Sequence, residues 1–172
     1  WLLFIPWHFP MQEDSSIKGA SNRAEREFAK RYPAVFEHLH QYKPELSARN
    51  ATETGVRYEW YALQRWGAEY WKEFEENKIV WGNLATQPQF SMSKGPNYIS
   101  APATFLVSDS RYLLGVLNSQ TTKYLVSQSA AARQGGFLEY KPMYVSPIPI
   151  PPVKPDKQSC FERLVDALIY LN

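Results

Sequence analysis

Histidine and cysteine are the residue types here that could hold a metal or attack a substrate, and their spacing argues against both uses. His38 and His40 stand two apart on an expected helix, about 200° around its axis, and His8 is remote. They make no metal pair and read as solvent-facing side chains. Cys160 is the sole cysteine, which rules out an intrachain disulfide and a zinc site built on cysteines. It sits at the start of an expected helix with no histidine nearby in sequence to activate it, so it reads as a packing residue. Glu76-Asn77-Lys78 has the carboxylate and lysine spacing of metal-dependent nucleases. No partner aspartate to share the metal ions stands out, and the triplet reads equally as the charged entrance to a strand. Gly135-Gly136 is too short for a P-loop or dinucleotide fingerprint. Beside Arg133, however, a glycine pair lets backbone amides approach a phosphate closely. The expectation is a chain with no catalytic residues and no metal ligands of its own.

Charge says more. The 172 residues carry 19 Lys+Arg against 17 Asp+Glu, net +2. Residues 1–86 hold 11 basic and 12 acidic side chains, residues 87–172 hold 8 and 5. Between Glu76 and Glu139 the one acid is Asp109, against Lys78, Lys94, Arg111, Lys123 and Arg133. A carboxylate-poor stretch with interspersed Gln and Asn is the composition of a surface that faces nucleic acid. A neutral, well-packed β-region with scattered lysines has the same composition. Aromatics reach 15%, including 6 Trp and 11 Tyr. For Trp60, Trp66, Trp71 and Trp81, packing is the main expected role, with a wet interface as the other.

The elements that must position these residues follow from periodicity and punctuation. With 44% hydrophobic residues the chain can build a core. No apolar run approaches the roughly 18 residues of a membrane span and no signal peptide is recognisable. A cytoplasmic chain is expected. Trp1-Leu2-Leu3-Phe4-Ile5-Pro6, with neither Met nor polar lead-in, reads as the middle of a strand, and so as a piece of a longer polypeptide. Asn22 is an expected N-cap, and Pro33 suits the first turn of a second helix with Val35, Leu39, Tyr42 and Leu46 facing the core. A turn-rich break is expected at 50–55.

Strands are expected at 78–81, 89–92, 98–100 and 104–107, separated by prolines and glycine and so short and antiparallel. A helix over 111–127 follows, with Leu113, Val116, Leu117 and Tyr124 on one side. After it come a strand over 137–145 and a proline-rich extended linker; six of the 13 prolines lie between Pro142 and Pro155. Ser159-Cys160-Phe161-Glu162 fits a capping box, opening an amphipathic helix with Phe161, Leu164, Val165, Leu168 and Ile169 on one face. The fold class is therefore α+β: a helical N-terminal part, an antiparallel β-rich middle, a helix, a short strand, a proline linker and a C-terminal amphipathic helix.

Several runs, in order, carry a family likeness. Tyr70 to Trp81 (YWKEFEENKIVW), Arg111 to Ser119 (RYLLGVLNS), Gly135 to Lys141 (GGFLEYK) and Val145 to Ile150 (VSPIPI) resemble the Taq-type C-terminal specificity domain. That domain occurs in adenine-specific DNA methyltransferases and fused restriction-modification enzymes. The resemblance spans about residues 32 to 172. Asn77 stands where the family often has proline, and Gln120 to Lys123 replace an aromatic cluster. The Asn/Asp-Pro-Pro-aromatic motif that holds a flipped adenine is absent, since Pro151-Pro152 lies between Ile150 and Val153.

The resemblance implies a target recognition domain over residues 1–152, followed by a linker and helix over 153–172. Its partners would be double-stranded DNA and an upstream methyltransferase domain of the same chain, with no membrane. S-adenosylmethionine, and magnesium if the parent also cuts DNA, would serve the parent enzyme, with no cofactor in this chain. Base readout is expected from Arg57, Gln64, Arg65, Lys94, Asn97, Arg133 and Gln134, because Arg pairs bidentately with guanine and Gln or Asn with adenine. Phosphate contacts are expected from Lys78, Lys123 and Lys141. The alternative reading is an assembly module that uses the proline segment and the final helix.

Overall fold

The chain enters its first helix at Ser21, whose Oγ accepts the Ala24 amide at 3.2 Å. The cap thus lies one residue before the expected Asn22, and α1 spans Asn22–Arg31. Pro33 opens α2 (Pro33–His40) at its first turn, where a missing N–H costs nothing. Periodicity predicts one helix through Leu46, but the chain breaks at Gln41-Tyr42 and resumes as α3 (Lys43–Glu53). Val35, Leu39 and Leu46 still pack on the core, while Tyr42, in the break, is exposed. Helix α3 also runs on to Glu53, past the start of the expected turn-rich break.

The computed structural model describes residues 2–53 and 58–171, and the chain divides into two compact units, residues 1–71 and 72–172. In the first, Ile5, Phe28, Trp60 and Tyr61 form a core with Phe9, Val35, Phe36, Leu39 and Leu46 against it. The aromatic excess goes into ring contacts: Phe28 on Tyr61 at 4.5 Å, Trp7 stacked on Tyr58 at 4.5 Å. The N-terminal apolar run makes no strand; residues 7–10 are turns and Leu63 N donates to Ile5 O at 2.8 Å. Its anchor is Glu59, a buried carboxylate that accepts His8 N at 2.7 Å, Ser21 N at 3.1 Å and the His8 ring at Nδ1 at 2.9 Å. Backbone amides and a ring nitrogen offset the cost of burying the acid.

The second unit holds two small antiparallel sheets. Strand β1 (Lys78–Gly82) lies between β3 (Ser91–Ser93) and β4 (Ala103–Val107), with Ile79 opposite Met92 and Leu106. Strand β2 (Leu84–Ala85) pairs with β6 (Phe137–Glu139), which pairs with β5 (Ala132–Arg133). Residues 98–100 form no strand. The core includes Ile79, Trp81, Phe90, Leu114, Leu117, Val126, Leu138, Tyr140 and Val165, with the Trp81 indole donating to Tyr140 O at 2.6 Å.

The helix expected over 111–127 is two helices, α4 (Arg111–Leu117) and α5 (Gln120–Ser129). Ser119 caps α5 by accepting Thr122 N at 3.2 Å, and the Asn118 amide binds both N and O of Phe90 at 2.9 Å. The break resets the helical phase, so Tyr124, expected inside, is exposed. The strand expected over 137–145 stops at Glu139, because Pro142 starts the turn α6 (Pro142–Val145). Residues 148–154 carry no regular structure, and Tyr112 Oη donates to Pro151 O at 2.7 Å.

Helix α7 (Pro155–Leu171) starts four residues before the expected capping box, at a proline that fits a first turn. Ser159 and Cys160 therefore sit inside the helix, and Cys160 is exposed. Val165 is buried against α4, whose Gly115 allows the approach: a Cβ there would stand 2.5 Å from Phe161 Cε1 and 2.7 Å from Val165 Cγ2. Among the described residues, no helix is long and apolar enough to cross a membrane.

Candidate nucleic-acid interface

Strands β5 and β6 form a hairpin in which Arg133 pairs with Phe137 across the three-residue loop Gln134-Gly135-Gly136. Both glycines take left-handed φ, +80° and +76°, which explains the Gly-Gly pair that the sequence displays. Every residue from Ala131 to Phe137 is exposed. Strand alternation turns Leu138 into the core and puts Arg133, Phe137 and Glu139 on the opposite face.

On that face three charged groups lock together. Glu139 Oε1 accepts from Arg133 Nε at 2.8 Å and from Arg133 Nη2, while Oε2 lies 2.9 Å from Lys141 Nζ. The carboxylate is 8% exposed, the arginine 57% and the lysine 47%, so the acid lies beneath two cations that face water. Hydrogen bonds from Lys141 and Arg133 hold the Glu139 carboxyl below its usual 4.5. The cluster carries a net single positive charge beside an exposed phenylalanine.

The structure thus brings Arg133, Gln134 and Lys141 to one hairpin. Lys94 and Asn97 share an exposed turn after β3, where Asn97 Nδ2 donates to Ser93 Oγ and Lys94 O, both at 3.0 Å. Lys123 is half-buried on α5. Gln64, half-buried, and Arg65, exposed, belong to the first unit, and Arg57 lies outside the described residues.

Lys78 has a different job from the phosphate contact expected of it. It is fully buried, and its Nζ donates to Phe74 O at 2.7 Å and Gly95 O at 2.9 Å. Burial pushes its ammonium below the usual lysine value. It ties the 3-10 turn Trp71–Glu75 to the Lys94–Asn97 turn, and Asn77 Oδ1 completes the tie by accepting Gly95 N at 3.2 Å. The Glu76-Asn77-Lys78 triplet is accordingly the support of a turn.

Sequence reasoning missed Glu139 and Phe137. The signal was present in the hairpin pattern: a Gly-Gly turn flanked by an alternation that must put Phe137 and Glu139 on one face. Among the described residues no group of three or more His, Cys, Asp or Glu could hold a metal. His38 and His40 are exposed and edge onto Tyr42 and Trp60.

The sequence matches the model of the TaqI-like C-terminal specificity domain over residues 24–150. The chain belongs to this family. No curated protein matches it. The matched span of the specificity domain takes in both sheets and the β5–β6 hairpin and stops before α7. A specificity domain of this type serves DNA target recognition in methyltransferase-type, restriction-modification enzymes.

Proposed function

We propose that the chain is a sequence-specific double-stranded DNA recognition module of a restriction-modification enzyme. It positions DNA for adenine N6-methylation, and in a fused enzyme for cleavage, by domains outside this chain, within the cytoplasm. The observation that carries this reading is the β5–β6 hairpin. The hairpin forms one edge of the β2-β6-β5 sheet, and its exposed end, residues 131–137, presents Arg133 and Gln134 with Lys141 beside its base, donors of the kind that read a major groove. Lys94, Asn97, Lys123, Arg65, Gln64 and Arg57 stay as further proposed contacts.

S-adenosylmethionine and magnesium are implied for the parent enzyme, and the residues here do not suit them. The second unit has open cavities of about 680 Å³ and 620 Å³. Neither is lined by a carboxylate, and the first is walled by Phe, Leu, Ile, Val and Met, its Asn118 amide being engaged with Phe90. The second carries the hydroxyls of Tyr112, Ser119, Thr121 and Thr122 and the Lys157 ammonium, but no acid to pair a sulfonium or a magnesium ion. We assign the chemistry to domains outside this chain.

Fluorescence anisotropy on duplexes selected from a random pool tests the proposal. Specific binding should exceed binding to unselected duplex and weaken with salt, log K falling by about 0.9 per phosphate contact per decade of salt. Equal affinity for selected and unselected duplexes would refute it.

A second reading, protein assembly through the proline segment and α7, draws on Leu164, Leu168 and Leu171, which are 62%, 60% and 78% exposed. Under this reading Leu164→Asp abolishes self-association or partner capture and leaves DNA preference intact.

A further inference from the structure

Arg133 offers DNA one edge of its guanidinium and gives the other to Glu139. An arginine has five N–H donors on a rigid plane. Glu139 Oε1 sits on the side-on edge, taking Nε and the adjacent N–H of Nη2. The end-on edge, Nη1 with the outer N–H of Nη2, has no acceptor among the described residues. That edge presents two parallel donors, the pattern that pairs with O6 and N7 of guanine.

Three features hold that edge in place. Glu139 is fixed on β6 and buried, and its second oxygen is occupied by Lys141, so it cannot swing away with the arginine. Arg133 and Phe137 are cross-strand partners, which sets the arginine's backbone relative to its acid. The glycines at 135 and 136 leave no side chain to screen it; a Cβ at Gly136 would meet nothing within 4 Å.

We infer that Arg133 reads a guanine from the major groove and that Glu139 is its positioning residue. The inference rests on the DNA-recognition reading and deepens it. Glu139 touches no base in this account; it selects which face of the guanidinium is available and removes the freedom to turn toward a phosphate. A phosphate contact by the same arginine is the competing arrangement, and it carries no sequence information.

The experiment uses the whole 172-residue chain. A random duplex pool yields the preferred sequence, and each guanine in it is then replaced singly by 7-deazaguanine, which lacks the N7 acceptor. One position should weaken wild-type binding about 5-fold or more, up to the roughly 150-fold limit of a whole bidentate pair since O6 remains, and should leave Arg133→Ala unaffected. Glu139→Gln should lose most of the preference for that guanine. Because it also removes a negative charge, it should bind unselected duplex as tightly as wild type or more tightly. Those opposite signs separate positioning from mere structural support, which would lower both affinities together. Glu139→Asp should restore part of the preference, and melting temperatures monitor folding throughout.

If no guanine in the preferred sequence is coupled to Arg133, or if Glu139→Gln lowers specific and unselected affinity equally, the inference fails while DNA recognition stands. If the pool yields no preferred duplex, both fail.

Discussion

Replacing Gly115 by alanine tests how α7 is seated. Glycine costs a helix interior about 1 kcal/mol relative to alanine, so propensity alone predicts that Gly115→Ala stabilises α4 by that amount. Packing opposes it. The new methyl would sit 2.5 Å from Phe161 Cε1, 2.7 Å from Val165 Cγ2 and 2.9 Å from Phe161 Cζ, where carbon atoms need about 3.5 Å or more. Val165 is β-branched, buried and in a helix, so its χ1 has essentially one setting. Phe161 is edge-on to Tyr112 at 5.3 Å, and turning its ring away sacrifices that contact. Relief therefore requires α7 to move away from α4 by most of an ångström.

Overpacking of this kind costs about 1–3 kcal/mol, which outweighs the propensity gain at all but its lower limit. The expected net result is a loss of about 1 kcal/mol, read from urea unfolding of the whole chain with an unchanged m-value. Hydrogen exchange should accelerate in α7 before the sheets. The cycle with Phe161→Ala sharpens the test: removing the ring that makes two of the three clashes, the nearest included, makes room, so the double variant should be about 1 kcal/mol more stable than the two single effects predict. Stabilisation by Gly115→Ala, or strict additivity with Phe161→Ala, would refute the close approach of the two helices.

Other outcomes follow from the same structure. Lys78→Met leaves the Phe74 and Gly95 carbonyls without their donor; it should cost about 2 kcal/mol in chemical denaturation and leave the salt slope of DNA binding unchanged. Glu59→Ala strands two half-buried backbone amides and the His8 ring, and thermal unfolding should report a loss of about 3 kcal/mol, with duplex preference retained. The Glu139 carboxyl is held below 4.5, first by Lys141 and then by Arg133, so its pairing contributes fully above that pH and drains away as pH falls through the lower folded value. The stability difference between wild type and Glu139→Gln should accordingly shrink as pH falls from above 4.5 to well below it, and a constant difference would contradict the pairing. Glu25 behaves with the same sign: burial raises its carboxyl, but hydrogen bonds from Lys43 at 2.8 Å and the Trp60 indole at 2.8 Å outweigh it.

The family likeness, the α+β class and the short antiparallel strands of the middle region were legible in the residues, though not which strands pair. So was Pro33 as a helix start. All of these depend on interactions within a few positions along the chain, where proline, glycine and serine act on their own backbone. The left-handed φ of Gly135 and Gly136 is an equally local demand met by glycine, although by sequence alone the pair reads as an approach to phosphate and not as a hairpin turn. Boundaries fared less well where two local signals competed. The capping box at Ser159 yielded to Pro155, and the 111–127 periodicity yielded to the Ser119 cap.

The fate of charged side chains belonged to the tertiary structure. Lys78 and Lys94 look alike in sequence, yet one is buried against two carbonyls and the other lies exposed on a turn, because β1 runs through the middle of its sheet while the turn lies beyond β3. Arg133 and Glu139 are six residues apart, and their pairing depends on the hairpin register that sets Arg133 opposite Phe137. A period of two fixes the face that a strand residue shares, but which strand lies alongside, and therefore which charge meets which, is decided only when the chain packs.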